Sequence, residues 1–298
     1  MKTGLVLEGG AMRGIYTAGV LDVFLEYGIQ VDGVMGVSAG AIHGVSYVSG
    51  QHGRSLRYNM QYCRDPRYMS LRSLLKTGDL FGVDFCYHEL PERLDPFDND
   101  AFELSSTEYY LTCTDIETGQ PCYQRCESIR GEEIDWVRAS ASMPLASRVV
   151  TIGKHKLLDG GIADPIPVDA FRRLGFARNL VILTRPEGYQ KKHSSAMPLI
   201  RRAFRGYPAL IDAMDHRHEV YNTQLARIDE LLREGDTFLI RPSRYLKISR
   251  TERNPRRIQA MYDLGRQDAL RTLPDVLEFL GHTGRESSIN REKCGKCI

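Results

Sequence analysis

The sequence predicts an α/β fold in which a mainly parallel β-sheet is covered by helices. Short apolar runs end at glycines, and residues at helical spacing follow directly after them. The chain has 298 residues, of which 42% are hydrophobic and 26% are charged, so it is long enough and apolar enough for a large core. These observations exclude a disordered or fibrous chain.

The first fifty residues predict two strand–helix units. An apolar run at residues 5–7 stops at a glycine pair, and apolar residues at helical spacing follow between residues 15 and 25. A second apolar run at residues 34–37 precedes a helix that reaches about Ser49. Since βαβ crossovers are right-handed and pair their strands in parallel, we expect a parallel sheet here.

The rest of the chain predicts more strands and helices around this sheet. Polar residues with several prolines at 51–107 favour short helices and loops. The further strand candidates are residues 109–114 and 122–123, which meet at a glycine turn, residues 179–184, which have the pattern of a central strand, and residues 237–240. Residues 187–283 add helices, including a long one at about 209–234. We expect one domain over residues 1–283, with 284–298 as a loose tail.

Charge and cysteine content narrow the class of protein. Forty basic and thirty-eight acidic residues leave a net charge of +2, which does not indicate a nucleic-acid partner. Glu8 interrupts the N-terminal apolar run and no segment approaches the roughly 20 apolar residues of a membrane span, so we expect a cytoplasmic, unanchored protein. The seven cysteines indicate reduced thiols, and we expect the C-x-x-C pair Cys294 and Cys297 to be inert.

The pattern G-x-S-x-G occurs at Gly36-Val37-Ser38-Ala39-Gly40, between a predicted strand and a predicted helix. In a nucleophile elbow the serine sits on a tight, strained turn. The N-terminus of the following helix favours the developing alkoxide. The motif therefore makes Ser38 a candidate nucleophile, although an ordinary strand–helix turn with a capping serine explains the pattern alone equally well.

A second glycine-containing loop follows the first predicted strand. Its residues are Gly9, Gly10, Ala11, Met12, Arg13 and Gly14. Backbone N–H groups at the start of the following helix can bind an oxyanion. A dinucleotide fingerprint is disfavoured, since it requires glycine in place of Ala11 and an acidic residue at a strand end about 20 residues later. Because the loop and Ser38 follow neighbouring parallel strands, they lie at the same sheet edge.

An acidic residue is the candidate base for this serine. Asp159 ends a short apolar segment and precedes Gly160 and Gly161, which let other backbone approach closely. An Asp-Gly turn between strands explains the same pattern. No histidine has a comparable setting, since one lies on the helix after Ser38 and the others occupy polar or loop-like stretches: His43, then His52, His88, His155, His193, His216, His218 and His282.

Together, the glycine loop, G-x-S-x-G and the later D-G-G resemble the patatin-like phospholipases, in particular bacterial members. The segment from Ala139 to Pro144 is similar to the small-residue and proline segment that precedes D-G-G in that family. The resemblance covers roughly residues 3–186. It implies a three-layer α/β/α fold with a mainly parallel central sheet, and a hydrolase that cleaves the carboxylic esters of lipid or fatty-acyl substrates.

The resemblance also implies site roles. Asp159 would take the proton from Ser38 in a Ser-Asp dyad, and N–H groups around Gly10, Ala11 and Arg13 would hold the oxyanion before an acyl-enzyme forms. Family loops commonly have three consecutive glycines, and Ala11 in place of the third is acceptable if its φ is negative. Arg13 matches the family's basic position, where bracing of the loop and contact with a phosphate fit equally well.

Membrane contact is a weaker expectation. Ile200, Ala203, Phe204 and Tyr207 lie at helical spacing among arginines, a pattern typical of an interfacial helix but more often of a helix packed on a core. The basic segment 241–257 fits anionic head groups or a solvated loop. Its basic residues are Arg241, Arg244, Lys247, Arg250, Arg253, Arg256 and Arg257, opposed by Glu252.

Two other functions stay open. An esterase of the α/β-hydrolase kind requires a late histidine, for example His216, His218 or His282. A non-catalytic lipid-binding or regulatory protein on the same scaffold would keep the fold without the activity. The sequence offers no cluster of carboxylates spaced as a calcium loop, so we expect neither a metal nor a cofactor.

Overall fold

The computed structural model describes residues 1–281, and an eight-stranded sheet forms its centre. The strands are β1 (Thr3–Leu7), β2 (Gly33–Val37), β3 (Glu108–Asp115), β4 (Pro121–Cys126), β5 (Val150–Ile152), β6 (His155–Asp159), β7 (Arg178–Ile182) and β8 (Thr237–Ile240). Their order is β5-β6-β3-β2-β1-β7-β8, with β4 also paired to β3. The five strands β3, β2, β1, β7 and β8 pair in parallel, as the sequence predicts.

Helices cover this sheet. They are α1 (Ile15–Glu26), α2 (Ala39–Val48), α3 (Arg54–Tyr62), α4 (Leu71–Thr77), α5 (Asn99–Glu103), α6 (Glu133–Ser140), α7 (Val168–Arg173), α8 (Met197–Ala203), α9 (Pro208–Glu234) and α10 (Pro255–Phe279). A 3₁₀-helix spans Ala11–Gly14 and a π-helix spans Phe85–Leu94. The predicted short helices at 51–107 and the long helix near 209–234 are confirmed.

Side chains of successive residues point to opposite faces of the sheet, and both faces are apolar. Helices cover each face, so the fold has three layers. In β1, Leu5 and Leu7 join the core beneath α1, α2 and α10, whereas Val6 points to the opposite face. That face is covered by Phe171 of α7 and Tyr221 of α9. Because side chains alternate across a pleated strand, one buried sheet separates two helix layers. The predicted α/β/α architecture with a mainly parallel sheet is confirmed.

The C-terminal part of the described chain packs on the same sheet. β8 pairs in parallel with β7, and α10 packs along α1. Two buried carboxylates accept hydrogen bonds across that helix pair: the Tyr262 hydroxyl donates to Asp22 at 2.7 Å, and the Tyr16 hydroxyl donates to Asp268 at 3.2 Å. Residues after 207 therefore extend the sheet and cover α1.

Two elements differ from the predictions. The apolar segment before Asp159 is strand β6, which pairs antiparallel with β3 and with the short β5. Sequence analysis did not identify this hairpin because β5 has only three residues. The tail at 284–298, with Cys294 and Cys297, and His282 lie outside the described residues. In residues 1–281, no helix is long and apolar enough to cross a membrane.

Candidate functional site

Ser38 lies on the tight turn between β2 and α2. Its φ of 55° and ψ of −120° place it in a region that non-glycine residues rarely occupy, a strain of about 1–3 kcal/mol. The motif glycines make the turn possible, since a Cβ on Gly36 would lie 2.5 Å from Ala41 Cα and one on Gly40 would lie 2.3 Å from the Leu7 carbonyl oxygen. The conformation is therefore that of a nucleophile elbow.

The glycine loop lies against this turn at the same sheet edge. A Cβ on Gly9 would come within 2.8 Å of Ser38 Cβ, so glycine allows the close approach. The Arg13 N–H donates to the Gly10 carbonyl at 3.1 Å inside the 3₁₀-helix. The backbone N–H of Arg13 is therefore engaged within the loop, and the oxyanion role expected for it stays a prediction. Within residues 1–281, the N–H groups of Gly10 and Ala11 reach no acceptor.

Ala11 has a φ of 48°, so the condition of a negative φ is not met. Left-handed backbone costs an L-residue roughly 1–2 kcal/mol, because Cβ crowds the following carbonyl oxygen. The turn from β1 into the 3₁₀-helix imposes this conformation on the position where family loops carry a glycine. Alanine is tolerated here under strain.

Asp159 ends β6 and is almost completely buried, with 2% of its surface exposed. Burial raises the pKa of its carboxyl, and the nearby Arg217 guanidinium and Ser38 hydroxyl oppose that rise. The Gly161 N–H donates to Asp159 Oδ1 at 2.8 Å and fixes the carboxylate. The structure thus brings the candidate base to the candidate nucleophile.

The segment from Ala139 to Pro144 ties these two residues together. Ser140 Oγ accepts from the Ser38 N–H at 3.0 Å and donates to the Thr112 carbonyl at 2.7 Å. Two residues later, the Ser142 carbonyl accepts from the Asp159 N–H at 2.8 Å. This small-residue segment holds the turn and the acid in fixed relation, which is a positioning role.

The histidines have other surroundings. His43 is buried in α2, its Nδ1 is 3.0 Å from Ser55 Oγ, and burial lowers its pKa to about 4. His216 and His218 lie on α9, and neither lines a cavity that reaches Ser38. A Ser-His-Asp arrangement therefore finds no support from these three histidines.

Two cavities meet at Ser38. The larger has a volume of about 680 Å³ and is lined mainly by aliphatic and aromatic side chains, among them Met12, Ile42, Phe81 and Val137. The smaller, of about 70 Å³, is lined mainly by polar groups. Ser38 and Arg250 line both. The serine hydroxyl therefore lies between an apolar space and a charged one.

Sequence reasoning missed the residues that build the smaller cavity. Glu8, buried at the end of β1, accepts from the Thr184 N–H, from Thr184 Oγ1 at 2.9 Å and from the Tyr221 hydroxyl at 2.8 Å. Lys191 follows β7, and Arg217 comes from α9 and donates to the Gly161 carbonyl. The position of Lys191 could have been predicted from the sequence. Residues that follow a parallel strand lie at the sheet edge where Ser38 lies, and Lys191 follows such a strand.

The structure places the two segments expected to contact lipid in different surroundings. In α8, Ile200 is buried, and Phe204 and Tyr207 pack into the same apolar cluster, so these side chains contribute to a core. In the basic segment, Arg241 pairs with Glu187 at 2.6 Å and Arg257 with Glu252 at 3.3 Å. Arg253 donates to the carbonyls of Cys63 and Arg64. Of the basic residues in this segment, Arg250 lines both cavities at Ser38.

Comparison with known proteins gives two family matches. A family model described as patatin-like phospholipase matches residues 5–172, more than half of the chain. A second model, described as a domain of unknown function (DUF6363), matches residues 207–281. The first match contains Ser38, Asp159 and the glycine loop, and the second contains α9, β8 and α10.

Individual relatives are similar over the first match. Uncharacterized protein YjjU of Escherichia coli is 30% identical over 191 residues, which cover 62% of this chain and 52% of that protein. The neuropathy target esterase sws of Drosophila melanogaster is 30% identical, over 60% of this chain and 12% of that protein. The lysophospholipase nte1 of Aspergillus terreus is 29% identical, over 58% and 11%. The chain spans about half of the first relative and about a ninth of the others.

Proposed function

Since the chain belongs to the patatin-like phospholipase family, we propose that it is a lipid acyl hydrolase that cleaves carboxylic esters with Ser38 and Asp159. One observation carries this proposal: a serine on a strained elbow and a buried carboxylate line the same small cavity, at the point where an apolar cavity also reaches the serine. The esterase and lysophospholipase names of two relatives support the substrate class. The resemblance inferred from the three motifs is thereby confirmed at the level of the family.

In the proposed reaction, Ser38 Oγ attacks the ester carbonyl while Asp159 takes the hydroxyl proton. The raised pKa of this carboxyl suits a general base, because its proton affinity is closer to that required at neutral pH. The N–H groups of Gly10 and Ala11 are free to bind the oxyanion. When the tetrahedral intermediate collapses, Asp159 returns the proton taken from Ser38 to the departing alkoxide, so that the alcohol leaves and an acyl-enzyme remains. Asp159 then takes a proton from water, which attacks the acyl-enzyme, and returns it to Ser38 Oγ as the carboxylic acid is released.

The proposal is tested by hydrolysis of p-nitrophenyl esters and of a lysophospholipid. Ser38→Ala and Asp159→Asn should each lower kcat/KM by about 10⁴-fold or more, and the double variant should be no worse than the worse single one, since the two residues act as one proton-transfer unit. Additive losses in the double variant would contradict the dyad.

Matched controls exist in the chain. Ser46→Ala removes a serine hydroxyl of α2 that lines neither cavity and lacks a hydrogen-bond partner. Asp164→Asn changes another buried carboxyl with a raised pKa, which is bonded to Tyr123 and Gln224 instead of Ser38. Both controls should keep turnover within about threefold. Activity that survives in Ser38→Ala would favour the non-catalytic alternative for this site.

We also propose peripheral contact with lipid surfaces through α4. Leu71 and Leu75 lie one turn apart on this helix and are 72% and 88% exposed, with Arg72 and Lys76 beside them. The helix ends at Thr77, three residues before Leu80, which lines the apolar cavity. An exposed apolar and basic helix fits a membrane interface. Vesicle flotation should fall in the variant with Leu71→Asp and Leu75→Asp, and unchanged flotation would contradict the proposal.

A further inference from the structure

The smaller cavity beside Ser38 has an unusual concentration of positive charge. The cationic residues that line it are Arg13, Arg185, Lys191, Arg217 and Arg250. They come from the 3₁₀-helix, the chain after β7, α9 and the loop after β8. Two carboxylates, Glu8 and Asp159, line the same space. The cavity therefore carries a formal excess of positive charge.

The carboxylates of the described chain form no salt bridge with these cations. In residues 1–281, none of the five takes part in a salt bridge. Of the two carboxylates that line the cavity, Asp159 lies near Arg217, and the oxygens of Glu8 are bonded to the Thr184 N–H, the Thr184 hydroxyl and the Tyr221 hydroxyl. Arg13 Nε is buried and has no hydrogen-bond partner. Unpaired donors aimed into a cavity indicate a ligand that accepts them.

Aromatic rings hold two of the cations without using their N–H donors. The Lys191 ammonium lies 4.3 Å from the centre of the Tyr221 ring, and the Arg185 guanidinium lies 4.3 Å from that of Tyr189. A cation–π contact fixes the position of the charge and leaves its donors free. Both groups are thus held in place for a charged acceptor.

The crowding of charge is visible in the pKa values. Burial, with Arg217 next to it, lowers the pKa of Lys191 to about 7. Burial, with Arg185 next to it, lowers that of Arg13 to about 10. Mutual repulsion of this kind is relieved when an anion binds.

The volume and the position of the smaller cavity indicate which kind of anion fits it. A volume of about 70 Å³ holds about five water-sized groups at roughly 10–15 Å³ each, and a phosphate has five heavy atoms. Arginine forks and a lysine are the usual partners of phosphate oxygens. Ser38 separates this space from the apolar cavity, so an ester carbonyl at Ser38 would have its acyl chain on one side and its alcohol part on the other.

We propose that the smaller cavity binds the phosphate of an anionic lipid ester, so that the preferred substrate is an acylglycerol carrying a phosphomonoester head group. This inference rests on the proposed hydrolase function, and it names the substrate class of the same site. A dianionic head group makes fuller use of five cations than a zwitterionic one, whose own cation would meet them.

The test compares three octanoyl esters of glycerol: the 3-phosphate, the 3-phosphocholine and the unphosphorylated monoacylglycerol. We expect kcat/KM for the 3-phosphate to exceed that for the monoacylglycerol by at least tenfold. Lys191→Met and Arg250→Gln should each lower this ratio by about tenfold, the effect of losing one charged hydrogen bond. Lys247→Met and Arg244→Gln, exposed residues that line neither cavity, are the matched controls and should keep the ratio.

Binding to Ser38→Ala separates the possible outcomes. The acylglycerol phosphate should bind at least tenfold more tightly than the monoacylglycerol or inorganic phosphate alone. Inorganic phosphate that binds as tightly as the lipid would overturn the head-group assignment in favour of a free anion site. Equal kcat/KM for all three esters would refute the head-group pocket and leave the hydrolase intact. Selective binding without hydrolysis by the wild type would instead refute the hydrolase and retain the pocket.

Discussion

Replacing Ala11 with glycine should stabilise the protein, because the chain holds this alanine at a φ of 48°. Relief of the left-handed conformation is worth about 1–2 kcal/mol. The greater freedom of glycine in the unfolded chain takes back about 0.4–1 kcal/mol. The net gain in the free energy of unfolding is then about 0.5–1 kcal/mol, or about 1–3 °C in Tm for a chain of this size.

Calorimetry and urea unfolding measure this gain, with Ala203→Gly as the matched control. Ala203 is the exposed last residue of α8, where glycine should cost about 0.5–1 kcal/mol. Turnover of Ala11→Gly should stay within about threefold of the wild type, since the N–H at position 11 is kept. A Tm of Ala11→Gly that falls as much as that of the control would refute the strain argument.

Further changes have outcomes that the structure specifies. Asp159→Asn should raise Tm at pH 7, because the raised pKa means that the ionised carboxylate destabilises the fold once pH exceeds the ordinary carboxyl value. This gain in Tm should shrink as pH falls toward about 4. Scanning calorimetry that gives the same Tm difference between Asp159→Asn and the wild type at every pH would argue against the raised pKa. In pH–rate profiles, wild-type kcat/KM should rise with pH through a pKa above that of an ordinary carboxyl, and an acid limb at or below the ordinary value would contradict Asp159 as the base. Gly265→Ala should cost about 1–3 kcal/mol in urea unfolding, since its Cβ would lie 2.1 Å from the Tyr16 carbonyl oxygen where α10 crosses α1. Gly206→Ala, whose Cβ meets nothing within 4 Å, is its neutral control, and equal effects of both would argue against the close crossing.

Replacing Ala11 with proline would remove the N–H at position 11. Because φ is positive at this position, that substitution does not test the oxyanion role of the N–H by itself. Proline fixes φ near −65°, whereas the chain requires 48° here. Loss of the N–H and distortion of the loop would then occur together. The glycine substitution is the informative one at this position.

The motif-bearing first strands and helices could be predicted from sequence because their signals are local. The apolar runs before Gly9 and Ser38 and the glycines of each turn place both residues at one sheet edge, and β1 and β2 pair in parallel as expected. Asp159 was predictable through its glycines and the family resemblance. Its strand pairing was not, because β5 and β6 depend on contacts with β3, which lies far away in sequence.

The cationic cavity could not be predicted, since its residues come from elements that meet only after folding. Arg217 is one of many charged residues on α9, and nothing in the helical spacing distinguishes it. Arg250 lies in a basic segment for which the sequence allows two interpretations, contact with anionic head groups or a solvated loop. The structure places Arg250 in the lining of the cavities at Ser38. The positive φ of Ala11 likewise depends on the path from β1 into the 3₁₀-helix. The proposal of one domain over residues 1–283 stays a prediction.

The most direct test of the central claim is covalent labelling of the native protein with a fluorophosphonate, read by intact mass and peptide mapping. An activated serine attacks this reagent, so we predict a single adduct on the peptide that contains Ser38, no adduct in Ser38→Ala, and much slower labelling in Asp159→Asn. The Ser46→Ala control should label like the wild type. Labelling at another residue, or equal labelling rates in the wild type and Asp159→Asn, would contradict the assignment of Ser38 as a nucleophile activated by Asp159.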